Sequence, residues 1–350
     1  MRPAVVSSTG VAAFVQKLGP MTTLWRVARV LLLVSGLTLV AFLVWHNDPA
    51  ALLASIRQLS WRLLVVLVFP FALVNALDTL GWHFAFRRNP VPFATLFSAR
   101  LAGEAFNLTT PTASVGGEAV KAWLVRNHVG FAEGFSSVIV AKTTITIGQG
   151  LLLLLGLPCA WWLLPHDSPV LHAMGWLLLA EVVAVTGLVL AQVSGLMGGG
   201  SRALSRFGFL SRLAGGLARV DSSLVEFYRR EPVRLMLSIF FHFLGWLGGA
   251  LEVWVILDLL GLPVTLMTAV LIESFATAVR FASFLVPASI GVAEGGNVAI
   301  FAALGLGGPV GLSFSLVRRL REATWIGVGY IALAAFRGLI PAGAEEGVPV

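Results

Sequence analysis

The chain has 350 residues, 57% hydrophobic and only 12% charged, against roughly 45–50% and about 25% in soluble domains. That balance excludes a soluble globular fold, which would lack the polar surface to cover itself. The net charge of +7 sits on cations that flank apolar runs rather than on a separate basic domain, which argues against nucleic acid as a partner. The single Cys159 excludes an intrachain disulfide framework and any multi-cysteine metal site.

Residues 1–23 hold Arg2 and Lys17 but no long apolar core or small-residue cleavage site, and read as a cytoplasmic tail before an uncleaved first helix. A helix needs about 20 residues to cross roughly 30 Å of hydrocarbon. The runs 27–45, 63–86, 135–164, 170–193, 235–260 and 310–336 qualify. Two further stretches, 93–111 and 264–287, run into a proline and are followed by shorter ones, 118–129 and 294–306. Proline removes a backbone donor and disfavours helix just before itself. A helix that stops there and restarts after glycines is expected to be a re-entrant hairpin, buried in protein or lining a wet cavity. The rival reading makes 93–111 and 264–287 full spans, for about eight transmembrane helices.

Between the halves, Leu204, Phe207, Leu210, Leu213, Leu217, Val220, Leu224 and Phe227 recur every three or four positions among Arg202, Arg206, Arg212 and Arg219. This spacing predicts an amphipathic helix on the cytoplasmic face, either sensing anionic lipid or tying the halves together.

Lysine and arginine placement sets orientation through their excess on the cytoplasmic side. Arg2, Lys17, Arg26 and Arg29 put the N-terminus in the cytoplasm, Arg87, Arg88, Lys121 and Arg126 put both ends of the first hairpin there, and Arg337 returns the C-terminus. The loops 165–169, around Gly261 and 307–309 carry no cation and face outward. Arg57 and Arg62 go against the bias.

One motif occurs twice. Pro111-Thr-Ala-Ser-Val-Gly-Gly-Glu118 is answered by Pro287-Ala-Ser-Ile-Gly-Val-Ala-Glu294, and the same 176-residue offset lays Ser137 on Ser313 and Lys142 on Arg318. Paired Gly/Pro interruptions in two halves of a membrane protein point to a substrate path. The expected architecture is an all-α polytopic membrane protein with inverted-topology repeats, about six spans and two re-entrant hairpins. Its membrane domain covers 24–337: repeat one 61–164, a linking helix and amphipathic segment 170–234, repeat two 235–336. Residues 338–350 form a tail. Pro111, Gly116, Gly117, Pro287 and Gly291 mark the helix breaks.

Charges inside spans cost about 2.5–3.5 kcal/mol each on insertion scales and normally pair or face water. Arg100 with Glu104, and Arg318 with Glu322, are spaced for pairing on one helix face, and Glu273 with Arg280 also share a face. Arg100, Glu104, Glu273 and Glu322 are expected structural partners, with Glu104 and Arg280 able to pair across the repeat axis. Glu118, Lys121, Lys142, Arg280, Glu294, Arg318 and Arg321 are the candidate substrate-binding residues. Cations beside helix N-termini suit a phosphate-bearing headgroup, and the motif glutamates either orient these cations or relay protons. His172 and His242, lying singly in apolar spans, read as satisfied core histidines. No His-Glu-x-x-His, Gly-x-Ser-x-Gly, Walker A loop or cysteine pair occurs, so neither a cofactor, a metal nor catalytic residues are expected.

The Gly-Gly-Glu of residues 116–118 with Lys121, then Lys142, Pro287-x-x-x-Gly-x-x-Glu294 and Arg318-Arg319-x-Arg321-Glu322 resemble the flippase-like transmembrane domain of lysylphosphatidylglycerol synthases and its stand-alone relatives, including those linked to hopanoid biosynthesis. The resemblance spans residues 25–336. It implies a multi-pass protein of the bacterial inner membrane that moves an amphiphilic lipid of phospholipid, polyprenyl or hopanoid type between leaflets. The chain shows no soluble aminoacyl-transfer domain before Val350, so lysyl-lipid synthesis is not expected. An intramembrane lipid-modifying enzyme and an accessory subunit of a lipid-synthesis complex stay open as alternatives.

Overall fold

A computed structural model describes residues 31, 34–35, 38–45, 61–109, 116–194, 211–283 and 286–338. The described parts of 31–45 are helical, so only part of the expected first span can be seen. The rest is built of α1 (Arg62–Phe84), α2 (Phe93–Thr109), α3 (Gly116–Val129), α4 (Phe131–Leu163) and α5 (Pro169–Val193), then α6 (Ser211–Arg230), α7 (Pro232–Leu259), α8 (Leu266–Ala282), a 3-10 turn (Pro287–Ser289), α9 (Val292–Ala303) and α10 (Gly308–Gly338). No strand occurs among the described residues. The protein is an all-α polytopic membrane protein.

Among the described residues four stretches are long and apolar enough to cross a bilayer: Arg62–Phe84, Ala132–Leu163, Pro169–Val193 and Pro232–Leu259. They correspond to four of the expected spans. The fifth, α10, has 31 residues but carries Arg318, Arg319, Arg321 and Glu322 in its middle. At 1.5 Å per residue, α3 and α9 reach only about 21 and 18 Å, short of the hydrocarbon thickness. The breaks differ in detail from the expected ones. Helix α8 ends at Ala282, five residues before Pro287, while Pro111 lies outside the described residues.

The 176-residue offset pairs α1 with α7, and these equivalent helices run antiparallel. Arg234, at the start of α7, donates to the carbonyl oxygens of Phe86 and His83 at the end of α1. Farther along, Ser238 donates to Gly81 O at 2.8 Å, and Gly245 lies against Asp78. Antiparallel equivalents are what inverted repeats require.

The hairpins are exchanged between the repeats. Helix α2 of repeat one packs on α10 of repeat two, and α8 of repeat two packs on α4 of repeat one. Leu101 O and Ala105 sit against Gly329, and Ser274 donates to Leu152 O at 3.0 Å beside Gly156.

Two apolar cores result. One joins Leu96, Ala99, Ala122 and Val125 of the first hairpin to Val138 and Val140 of α4 and to Val220, Leu224 and Phe227 of α6. The other joins Ala269, Ile272, Ile300 and Phe301 of the second hairpin to Leu153, Met174, Val253 and Phe314. Arg87 and Arg88 follow the end of α1 and Arg234 begins the antiparallel α7 beside them, whereas the exposed Trp61 precedes α1 at its other end, and the exposed Trp161 and Trp162 lie near the end of α4. The expected amphipathic helix appears as α6, its residues 201–210 lying outside the described part. Its apolar side is buried against α4, so it packs on protein as well as facing outward.

Candidate functional site

Between the two cores lies a cavity of about 720 Å³. The charged ends of both hairpins reach it: Arg100 and Glu104 from α2, Glu118 from α3, Glu273 and Arg280 from α8. Lys142 of α4, Asp78 of α1, Glu252 of α7, and Arg318, Arg321 and Glu322 of α10 complete the charged wall, with Thr143, Thr146, Gln149, Gln192 and Thr277 as neutral polar neighbours. Phe71, Val74, Leu108, Phe135, Ile139, Leu188, Trp246 and Phe281 make the remainder apolar.

The first hairpin closes on two glycines. A Cβ on Gly117 would fall 2.1 Å from Gly103 O, and one on Gly103 would fall 2.5 Å from the Lys121 side chain. This approach brings Lys121 Nζ to 2.7 Å from Glu104 and 3.2 Å from Glu118. Arg100 pairs mainly with Asp78 at 2.6 Å, and more loosely with Glu104 at 3.8 Å. Asp78 also meets His242 Nδ1 at 3.2 Å, the partner expected of a core histidine. Asn107 fixes the hairpin end by accepting from Gly117 N at 2.7 Å and donating to Glu118 at 3.2 Å. Lys121 lines a small pocket that adjoins the cavity with Arg100, Glu104, Glu118 and Lys142.

Repeat two carries a denser network. Arg318 sits 2.6 Å from Glu273 and 3.2 Å from Glu252, while Arg321 pairs with Glu252 and lies 3.9 Å from Glu322. Arg321 also stacks 3.9 Å over the Phe71 ring, a placement that suits a planar guanidinium. Arg280 reaches Glu273 at 3.2 Å, as its spacing predicts.

Two expected pairs do not form. Glu322 turns to Arg319 at 2.8 Å instead of Arg318, because Arg318 points at the carboxylates of α7 and α8. Glu104 and Arg280 do not pair across the axis, each being held within its own half by Lys121 and Glu273.

The duplicated glutamates occupy different settings. Glu118 faces the cavity, whereas Glu294 is only 2% exposed and is not among the residues lining it. Its Oε2 accepts from Gly291 N at 2.7 Å, and its Oε1 from Arg319 Nε at 2.6 Å. Arg319 also donates to Ala288 O at 2.9 Å. Ala288 and Ser289 have φ of 48° and 51°, a region costly for residues with a Cβ. Arg319 and Glu294 therefore hold a strained turn.

Asp78, His242, Glu252 and Arg319 were not among the expected site residues. The signal for Asp78 and Glu252 was present, since each is an ionisable residue inside a long apolar run.

The paired charges balance. Asp78, Glu104 and Glu118 face Arg100, Lys121 and Lys142, and Glu252, Glu273, Glu294 and Glu322 face Arg280, Arg318, Arg319 and Arg321. Two cations are left partly free. Lys142 is 52% exposed with one pair at 3.7 Å to Glu118, and Arg280 is 31% exposed. No group of three or more metal-binding side chains occurs among the described residues.

The chain is 20% identical over 311 residues to a UPF0104 membrane protein of Pyrococcus horikoshii, covering 83% of this chain and 92% of that protein. No solved structure matches. The family described as the lysylphosphatidylglycerol synthase TM region matches residues 26–329. With this match spanning nearly all the described helices, the chain belongs to the lysylphosphatidylglycerol synthase TM region family.

Proposed function

We propose that this protein carries an amphiphilic lipid with a phosphate-bearing headgroup between the two leaflets of a bacterial inner membrane, acting as a carrier and not as an enzyme. The observation that carries this reading is the exposed Lys142 ammonium on the wall of a cavity whose other surfaces are largely apolar. Lys142 and Arg280 take the phosphate, because they are the most exposed cations at the cavity, whereas Arg100, Lys121, Arg318 and Arg321 are buried against carboxylates. The apolar wall from Phe135 to Leu188 takes the acyl or polyprenyl part. Helices α2–α3 and α8–α9 serve as re-entrant hairpins from opposite faces, supported by the shortness of α3 and α9 and by their bases lying in different cores. The arginine-rich end faces the cytoplasm, together with both termini.

The test is leaflet exchange of a fluorescent phosphatidylglycerol in proteoliposomes of the full chain, read by a quencher that reaches only the outer leaflet. Exchange is expected with the native protein and is lost in Lys142→Ala plus Arg280→Ala. Equal exchange in the double variant and the native protein sinks the headgroup role. Exchange no faster than in protein-free vesicles, repeated with polyprenyl phosphate and phosphatidylethanolamine probes, sinks the carrier role.

A further inference from the structure

Glu181 is the central residue of α5, twelve positions from either end of Pro169–Val193. It is 2% exposed, and neither carboxyl oxygen has a hydrogen-bond partner among the described residues. The carboxyl group lies against α4 at Gly150, where a Cβ would come 3.7 Å from Glu181 Cδ. Gly150 follows Gln149, which lines the cavity and donates to Thr277 O at 3.4 Å. An ionised carboxylate at the middle of an apolar span costs about 2.5–3.5 kcal/mol on insertion scales unless it is compensated.

Among the described residues nothing around it supplies that compensation. On α4 the charged groups are Glu133, near the helix start, and Lys142, which pairs with Glu118. On α8 Glu273 and Arg280 pair with each other at the cavity. The charges of α6, from Arg212 and Arg219 through Asp221 and Glu226 to Arg230, belong to a helix that meets α5 at Gln192 through Tyr228, about three turns from Glu181. The duplicated glutamates, by contrast, are all engaged by cations.

We propose that Glu181 is a proton-binding site: its carboxyl is protonated at rest and exchanges that proton with the cavity past Gly150. On release the O–H bond breaks, its electron pair stays on the carboxylate, and the proton passes to cavity water; uptake reverses the step. The purpose of the site, coupling a proton gradient to lipid movement, rests on the carrier reading; its existence does not.

Infrared spectroscopy of the full-length protein in vesicles tests the site itself. The native protein is expected to show the carbonyl stretch of a buried protonated carboxyl that shifts in D2O and fades as pH is raised. The band should vanish in Glu181→Gln, persist in Glu104→Gln and be displaced in Glu181→Asp. A spectrum unchanged by Glu181→Gln, or a band that neither exchanges nor titrates, overturns the proposal. Coupling is read separately as leaflet exchange with and without an imposed proton gradient. Acceleration in the native protein that Glu181→Gln abolishes supports it, and an equal gradient response in both overturns the coupling. Absence of any exchange in the native protein counts against the carrier reading alone, since the infrared band still decides the site.

Discussion

The guanidinium of Arg318 lies 2.6 Å from Glu273 Oε2, with both side chains almost wholly buried. Glu252 adds a second carboxylate at 3.2 Å. Breaking a buried pair leaves an uncompensated charge, at a cost of about 3–5 kcal/mol. Arg318→Met is therefore expected to lower the thermal unfolding midpoint in detergent far more than Arg280→Met, whose parent side chain is partly exposed. Equal losses in the two variants would contradict the structural role assigned to Arg318.

Lys142 and Lys121 both meet Glu118, yet they should respond in opposite ways. Lys142 is exposed and loosely paired, so Lys142→Ala is expected to change stability by no more than about 0.5 kcal/mol. Exchange of a phosphate-bearing lipid should fall roughly tenfold, the equivalent of one lost charge-assisted contact of about 1.4 kcal/mol. Lys121→Met, which strands Glu104, is expected to destabilise the fold first. Thermal unfolding and leaflet exchange on both variants separate the two roles.

The approach of α2 to α3 leaves no room for a methyl group at Gly117, where the obstructing atom is the carbonyl oxygen of Gly103. Gly117→Ala must push the two helices apart and is expected to lower the unfolding midpoint and loosen the Lys121–Glu104 contact. Gly175→Ala, with nothing within 4 Å of the added carbon, should leave the midpoint unchanged or raise it.

The turn Pro287–Ser289 depends on the fork of Arg319, which reaches Glu294, Glu322 and Ala288 O together. Lysine keeps the charge but not the fork. In a Cys159→Ser background carrying Ser289→Cys, Arg319→Lys is expected to speed labelling by a small thiol reagent several-fold, because position 289 is buried in the native turn. An unchanged labelling rate would mean that the turn holds without Arg319.

Sidedness is open to a direct check. Arg88→Cys, beyond the end of α1, should label only from the cytoplasmic side, and Asp167→Cys, between α4 and α5, only from outside. Labelling of both from one side would overturn the proposed orientation.

The helical spans were readable because length and apolar composition alone decide what can cross hydrocarbon. The helix restarts at Gly116 and after Gly291 were readable from the glycines, although α8 stops well before Pro287. Pairing was harder to read. Spacing along one helix put Arg318 with Glu322, but a side chain surrounded by three helices answers to its deepest neighbours, here Glu273 and Glu252. Offset alignment treated Glu118 and Glu294 as equals, and one position separates them. Arg319 falls on Thr143 at the same offset, and a threonine that bonds Gln192 exerts no pull on a carboxylate. Glu294 is thereby drawn into a turn, and Glu118 is left to the cavity.

Because α2 rests on α10 and α8 rests on α4, each half supplies only part of the wall its own hairpin needs. During synthesis α2 emerges long before α10, and must wait in the bilayer with its α10-facing side uncovered. Each half made alone should be cleared by quality-control proteases, whereas the two co-expressed as separate polypeptides should rescue one another.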